Sequence, residues 1–364
     1  MSDQTSTNVG IIIPTKDRAD FIIRQLRYYA SVGCQHIIYI GDSSSKEESE
    51  KIGAEIKRLN NKIKTKYYYL PLDGAERKYM YLISQVKEKY TCLSGDDDYQ
   101  IPKSITKCAE FLEANPEYST ASGYAVSFRL KRHGVYGELL RLADYPRRQI
   151  EDTTGAERII NFFNNFNTTN FSVIRTDYVQ KYLRGFEKIT DRQFLGELLP
   201  CSLPLIYGKS KIIDCLGFVR QIHDQHYGLP NFFDWITSSD WHSSYVSFEK
   251  EISESLAVKD NISNEDATAI IRQSFWAHLQ RYLSKEYEAR YHPKTKSGLI
   301  KQVINSIKSK IARAIPVLKP IYRMVVKPAI TGNKELNFEV LQPRSKYYQD
   351  FKPVMDSFTG KIKT

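Results

Sequence analysis

Strand and helix signals alternate four times within the first 115 residues, and few folds accommodate that order. Val9 to Ile13 is a short β-branched run stopped by Pro14, and His36 to Ile40 is closed by a Gly-Asp-Ser-Ser-Ser turn. Tyr67 to Leu70 is ended by Pro71, and Thr91 to Leu93 runs into an acidic cluster. Runs this short and apolar read as parallel strands buried on both faces. Asp20 to Val32, Lys46 to Leu59 and Gly74 to Tyr90 carry helical spacing between them, with Gly33 placed as a C-terminal cap. Pro102 to Asn115 follows as a helix with proline in its first turn. The order predicts an α/β fold with a mostly parallel sheet and helices on both faces. Such sheets bind ligands beyond the carboxyl ends of their strands. That rule selects four loops: Thr15 to Arg18, Asp42 to Ser45, Leu72 to Arg77 and Ser94 to Tyr99.

Beyond residue 118 the pattern is mixed. Ser119 to Leu142 is strand-like, Thr154 to Phe163 helical, Phe171 to Ile174 a strand, and Asp177 to Leu183 and Arg192 to Leu199 helices, before a strand over Lys211 to Val219. After Gly228 the chain reads as helical, with Trp235, Trp241 and Trp276 expected to pack it onto the body. The expected division is a catalytic-sized unit over residues 1–228, a helical extension over 229–296 and a basic amphipathic segment over 297–364.

The net charge of +11 is localised. Arg290 to Lys334 holds eleven Lys and Arg and no acid, and the remaining residues carry equal numbers of basic and acidic groups. Five cysteines without CxxC spacing, several in apolar runs, argue against a disulfide framework or a zinc site. With no basic-then-apolar leader and no apolar run of membrane length, the expectation is a reduced, cytoplasmic setting.

Asp96-Asp97-Asp98 stands at the end of the fourth strand. Three adjacent carboxylates repel, and a divalent cation with oxygen ligands relieves that repulsion. A nucleotide diphosphate completing the coordination would be stabilised as a leaving group. In an extended stretch Asp96 and Asp98 point one way and Asp97 the other, which predicts Asp96 and Asp98 as the metal pair. The competing reading is a solvated acidic turn capping the next helix.

Several ordered pieces resemble the GT-A fold glycosyltransferases of family two, in particular the bacterial surface-polysaccharide branch. They are Ile12-Ile13-Pro14-Thr15-Lys16-Asp17-Arg18, Ile37-Ile38-Tyr39-Ile40-Gly41-Asp42-Ser43-Ser44, Gly74-Ala75-Glu76-Arg77-Lys78, Leu93-Ser94-Gly95-Asp96-Asp97-Asp98-Tyr99 with Ile101-Pro102, and Gly185-Phe186-Glu187 with Thr190-Asp191. Gly41, Gly95 and Thr190 depart from the acids usual at those places. The resemblance implies a Rossmann-like GT-A sheet with a C-terminal helical appendage. It also implies that Thr15, Asp17, Arg18, Asp42, Arg77, Asp96 and Asp97 bind a nucleoside-diphosphate sugar. Asp98 with Asp96 would hold Mg²⁺ or Mn²⁺, and Asp191 would be the general base of an inverting transfer. Asp191 also suits a helix N-cap, a common use of aspartate.

His223 and His226 follow the Lys211 to Val219 strand and are candidates to complete a metal shell, or simply polar loop residues. Arg220 is suited to pairing with a diphosphate. The amide-rich loop Asn164 to Asn170 is a candidate acceptor-side surface. Leu299, Ile300, Val303, Ile304, Ile307, Ile311 and Ile315 recur at helical spacing among lysines. A basic amphipathic helix at 297–327 fits either an anionic membrane surface or docking on the domain. The resemblance thus implies a cytoplasmic enzyme that extends a glycan or lipid-linked glycan, and the basic segment adds a peripheral place on the inner face of the plasma membrane as one option. The alternatives are a sugar-nucleotide nucleotidyltransferase, against which the glycine-free first loop argues, and a non-catalytic membrane- or nucleic-acid-binding module. Few aromatics accompany the basic stretch, which argues against nucleic acid as a partner.

Overall fold

The computed structural model describes residues 9–72, 74–132, 134–181, 186–224, 230–291 and 336–362. Strand β1 (Val9–Thr15) is flanked in parallel by β2 (Ile37–Asp42) and β4 (Tyr90–Leu93), and β2 pairs in parallel with β3 (Lys64–Tyr69). The central position of β1 explains its unbroken apolar run, since Val9, Ile11, Ile12 and Ile13 have no solvent-accessible surface. The outermost strand, β3, reads Lys-Thr-Lys-Tyr-Tyr-Tyr, polar enough to face water along one edge.

Helices α1 (Ala19–Ser31), α2 (Lys46–Leu59), α3 (Ala75–Gln85) and α4 (Pro102–Ala114) lie where the sequence places them. Gly33 ends the first with φ +64°, a left-handed conformation suited to glycine. The third stops at Gln85, short of the expected Tyr90. Val86 turns extended (φ −65°, ψ 130°) and buries its side chain, and Tyr90 opens β4 opposite Val9.

The second half of the sheet is of mixed direction. Strand β5 (Tyr99–Gln100) precedes the long β6 (Tyr118–Leu130), β7 (Leu139–Tyr145), β8 (Val173–Arg175) and β9 (Lys209–Gln221). Among the described residues the strand order is β3-β2-β1-β4-β8-β6-β9-β5, with β7 on β6. β6 and β9 run parallel and cross closely at an irregularity. A Cβ on Gly123 would lie 2.6 Å from the Gly217 nitrogen, so both positions need glycine. The antiparallel pairing of β5 with β9 fixes Tyr99 opposite Val219, which holds the aspartate turn against the end of β9.

A second core is helical. Helices α5 (Gly155–Asn164), α6 (Thr176–Gln180), α7 (Leu199–Tyr207), α8 (Phe232–Ile236), α9 (Trp241–Asp260) and α10 (Asn264–Tyr291) follow in chain order. Phe162, Phe163, Phe194, Trp235, Trp241, Phe248 and Phe275 fill this core. Trp235 and Trp241 are buried as expected. Trp276 is only partly so: it sits at the rim, 46% exposed, with Nε1 donating to Tyr245 Oη at 3.1 Å.

Two short helices, α11 (Leu336–Glu339) and α12 (Tyr348–Phe358), dock on the sheet rather than on this helical layer. Phe351, Val354 and Phe358 have no exposed surface, and the Phe358 ring stacks on Phe128 at 4.5 Å. The sequence grouped these residues with the basic segment, and they pack into the core beneath the sheet. The apolar stripe from Leu299 to Ile315 lies outside the described residues. No helix among the described residues is long and apolar enough to cross a membrane. Phe358→Ala is expected to lower stability by about 3–5 kcal/mol. Urea unfolding checks this: the midpoint should fall with an unchanged slope, and an unchanged midpoint would mean that α12 adds nothing to the core.

Candidate active site

A cleft of about 710 Å³ opens at the carboxyl ends of β1 and β4. Its walls come from the Pro14–Arg18 loop, the first turn of α3, the Leu93–Asp98 turn, Thr168, Asn170 and Phe171, and Arg192, Gly196 and Glu197. Arg220 and Gln221 at the end of β9 complete it. Three of the four loops selected from sequence line it. The fourth, Asp42 to Ser45, braces it from behind: Asp17 N donates to Ser44 Oγ (2.7 Å) and Ser45 N donates to Asp17 Oδ1 (2.8 Å). Asp17 holds φ +52°, a left-handed conformation uncommon for a residue with a side chain.

The three aspartates are not in an extended stretch. The backbone turns at Asp96 and Asp97, and Asp98 N donates to Gly95 O at 3.3 Å. Strand alternation therefore does not separate them, and all three line the cleft. Asp96 accepts from Thr15 Oγ1 (2.8 Å) and pairs with Arg18 Nη1 (2.9 Å). Asp97 Oδ2 meets Arg18 Nη2 (2.6 Å) and His223 Nε2 (2.8 Å). Asp98 Oδ1 accepts from Gln221 N (3.0 Å). The turn's backbone is strapped by α1. Gln25 Nε2 donates to Gly95 O (2.8 Å) and Asp98 O (2.6 Å), and Arg24 Nη2 donates to Asp97 O (2.7 Å).

Burial pushes the Asp96 carboxyl up to about 7, helped by the neighbouring Asp97 charge and opposed by Arg18. Burial and Asp97 also push Asp98 well up, against the pull of Arg220. Asp97 goes the other way: burial works against its charge, but His223 and Arg18 outweigh it. The protein's own cations thus satisfy one of the three charges. The remaining oxygens suit a hard divalent cation, the fit required of Mg²⁺ or Mn²⁺. Among the described residues no three His, Cys, Asp or Glu side chains converge into a metal cage. A cation held by one or two carboxylates and ligand phosphates needs no such cage. His223 sits on Asp97 and stacks on Phe21 (5.1 Å, 19°), away from the expected Asp96–Asp98 pair. His226 lies outside the described residues.

Two expected contacts are placed elsewhere. Asp42 is fully buried and does not line the cleft. Its carboxylate accepts from Ser44 N (2.8 Å), Ser49 Oγ (2.8 Å) and Tyr67 Oη (2.7 Å), which ties β2 to its turn and to β3. Arg77 is exposed on the outer face of α3, outside the cleft lining. The buried Lys78 lines the cleft instead, its Nζ donating to Ser43 Oγ at 2.6 Å. Burial and nearby Lys16 push the Lys78 ammonium below its ordinary range. The helix phase that buries Tyr79 and Leu82 carries Lys78 inward and Arg77 outward, and that phase was the available signal.

Residues 10–183 match the family model of glycosyl transferase family 2. These residues form a family-2 glycosyltransferase domain. The chain is also similar to solved structures of TarS from S. aureus. A fragment of TarS, residues 1–349, is 14% identical over 97% of this chain and 89% of that one, with a TM-score of 0.46. The same fragment in complex with UDP-GlcNAc is 14% identical over 80% and 77%, with a TM-score of 0.48. No curated protein matches the sequence.

The matched region of the transferase ends before Asp191. There, Asp191 Oδ1 accepts from Gln193 N and Phe194 N (both 2.9 Å), and Oδ2 accepts from Trp235 Nε1 (2.9 Å). The carboxylate is a helix cap locked onto the aromatic core, and it does not line the cleft. Its helix continues as a π-helix over Phe194–Leu198, which brings Gly196 and Glu197 to the cleft wall. Of the amide-rich loop, Thr168 and Asn170 reach the cleft, while Asn165 ends α5. Arg220 lines the same wall, its Nη1 donating to Tyr145 Oη at 3.0 Å. Lys78, Glu76, Gln221 and Glu197 are cleft residues that sequence reasoning did not single out.

The aspartate electrostatics predict a stability effect of definite sign. An acid whose folded pKa is raised loses stability as pH rises from about 4, its unfolded value, through the folded value. Asp98→Asn removes that cost and keeps an oxygen for Gln221 N. The ligand-free variant should be more stable than the parent at pH 8, and nearly equal to it at pH 4. Thermal melts at the two pH values check this; a variant less stable at pH 8 would refute the charge account.

Proposed function

We propose that the transferase takes a sugar from a nucleoside-diphosphate donor bound in this cleft and passes it, with inversion, to a glycan or lipid-linked glycan. The supporting observation is the meeting of Lys16, Arg18, Lys78 and Arg220 with the three aspartates in one cleft at the strand ends. The four cations suit a diphosphate, and Arg18 and Arg220 offer guanidinium forks. Thr15 and Asp17 lie in the loop that would face the nucleoside. Mg²⁺ or Mn²⁺, held by Asp96 and Asp98, would supply charge neutralisation to the departing diphosphate. Asp191, which caps the helix that forms the other wall, would take the acceptor's proton, the role that the resemblance gives it. The family match leaves the nucleotidyltransferase and non-enzymic readings without support.

The acceptor reading joins the basic segment at 297–327 to an anionic membrane on the cytoplasmic side, where a lipid-linked acceptor for surface polysaccharide would be presented. A screen of nucleoside-diphosphate sugars, beginning with UDP-GlcNAc, for hydrolysis with and without Mg²⁺ or Mn²⁺ tests the donor reading. Turnover of no donor would overturn it. Within that assay, Lys78→Ala should raise the donor KM by about 10-fold or more, the size of a charge-assisted hydrogen bond. Arg77→Ala should change it by about twofold at most. The reverse order would place the phosphate cation on the outer face of α3.

A further inference from the structure

We infer that Glu197 recognises the transferred sugar, its carboxylate accepting hydrogen bonds from the sugar's hydroxyls, and so sets which donor sugar the enzyme takes. The inference rests on the donor reading above, with Asp191 as the base, and adds a specificity residue to it. It begins with what each cleft carboxylate is already doing. Asp17 accepts from Ser45 N, Glu76 meets Arg192 Nε (3.5 Å), Asp96 and Asp97 are bridged by Arg18, and Asp98 accepts from Gln221 N. Glu197 is the one cleft carboxylate with no hydrogen bond or ion pair among the described residues. An unpaired carboxylate in a largely desolvated place is costly unless a ligand completes it.

Charge and position say which part of the ligand that is. A carboxylate repels a diphosphate, so Glu197 is unsuited to face one directly. The oxygens suited to a cation lie on the aspartate turn, and the Pro14–Arg18 loop and Lys78 form the side suited to nucleoside and phosphate. Arg220 at the end of β9 is the cation that both Asp98 and Glu197 feel. A phosphate drawn to Arg220 beside Asp98 leaves the group bonded to it, the sugar, on the Glu197 side. Sugar hydroxyls are neutral donors, and one carboxylate can accept from two of them at once.

The backbone supports the same assignment. The segment Phe194–Leu198 is a π-helix, a rare turn that occurs frequently at functional sites. It is held from two directions. A Cβ on Gly196 would lie 2.6 Å from Glu76 Cγ of α3, and Gly196 O accepts from Asn170 Nδ2 at 2.8 Å. Arg220 is fixed as well, with Nη1 on Tyr145 Oη (3.0 Å) and its guanidinium over the Phe171 ring at 5.8 Å. Glu197 and Arg220 thus line the cleft on rigid supports without pairing with each other. Such a frame is set in advance for a polar, uncharged group. A site built around a hydroxyl rejects the analogue that lacks it, because the site's own polar group is then left unpaired.

The experiment uses the full chain, the nucleoside-diphosphate sugar that it hydrolyses fastest in a screen beginning with UDP-GlcNAc, and the free nucleoside diphosphate of that donor. Glu197→Ala should lower kcat/KM for the sugar nucleotide by about tenfold or more, the size of a charge-assisted hydrogen bond, while the inhibition constant of the free diphosphate stays within about twofold of the parent. Glu197→Gln, which keeps one acceptor oxygen, should recover part of the loss. Donor analogues with fluorine in place of one sugar hydroxyl at a time test the contact itself. For at least one analogue the parent should lose about tenfold and Glu197→Ala almost nothing further, a coupling that a merely structural role does not produce. The inference is overturned if no analogue shows that coupling, if inhibition by the free diphosphate weakens as much as donor use does, or if Glu197→Ala acts only on the KM of an added glycan acceptor. Hydrolysis of no sugar nucleotide by the parent would instead sink the donor reading, and this assignment with it.

Discussion

The buried charge at the aspartate turn is the constraint around which the rest is arranged. Three adjacent carboxylates with almost no exposed surface cannot all ionise without cations. The chain meets this from several directions. Arg18 bridges Asp96 and Asp97 and lies over the Phe21 ring at 4.6 Å. Arg24 and Gln25, in the second turn of α1, bind the backbone carbonyls of the same aspartate turn. Gln221 closes it from β9, with its N–H on Asp98 and its side-chain oxygen accepting from Arg24 Nη1 at 2.6 Å. Helix α1 therefore does two jobs. Its apolar face covers the sheet, and its polar residues fix a turn that would otherwise be pushed apart by its own charge.

That arrangement also explains where the chemistry can be divided. One wall of the cleft belongs to the parallel half of the sheet and carries the charge pairing suited to a diphosphate. The other wall belongs to the junction with the helical core. There Trp235 donates to Asp191, and Asp191 caps the segment that becomes the π-helix. The indole on Asp191 is thus a structural joint: it fixes the start of the helix whose fifth and sixth residues beyond the cap, Gly196 and Glu197, line the cleft. Gly196 allows that wall to press against α3, and a larger residue there would move Glu76 or the helix itself.

Much of this was legible in the chain and some was not, for physical reasons. The runs at Val9 to Ile13 and His36 to Ile40 announce buried parallel strands because nothing else tolerates such unbroken apolar stretches. Helix α2 runs over Lys46–Leu59 as read from its charge pattern. The site was legible as a set of loops, since strand-end geometry follows from topology. What the chain does not announce is the set of partners that a single side chain finds far away in sequence. Asp42 looked available, but Ser49 and Tyr67 come from α2 and β3 to occupy it. Arg77 and Lys78 are neighbours, and only the phase of α3 against the core decides between them. The alternation of Asp96, Asp97 and Asp98 presumed an extended backbone, and the turn removed the premise. Glu197 was hidden because periodicity arguments assume 3.6 residues per turn, and a π-helix breaks that register.

The last part of the chain bears on the site more directly than its position in sequence suggests. Strand β5 is only two residues long, too short to hold its place through pairing with β9 alone. Tyr99 supplies the remaining anchorage. Its ring packs edge-on against Tyr28 of α1 at 5.0 Å and lies under the Arg24 guanidinium at 5.0 Å, and its hydroxyl donates to Ser357 Oγ of α12 at 3.1 Å. Phe128, next to it, carries the stacked Phe358. The residue that follows Asp98 is therefore clamped between α1 on one side and the C-terminal helix on the other. An aspartate turn under its own repulsion needs such a rigid support, because a turn free to relax would separate the carboxylates. On this argument α12 is part of the catalytic unit, and the charge it helps to confine lies at the opposite end of the fold's primary order.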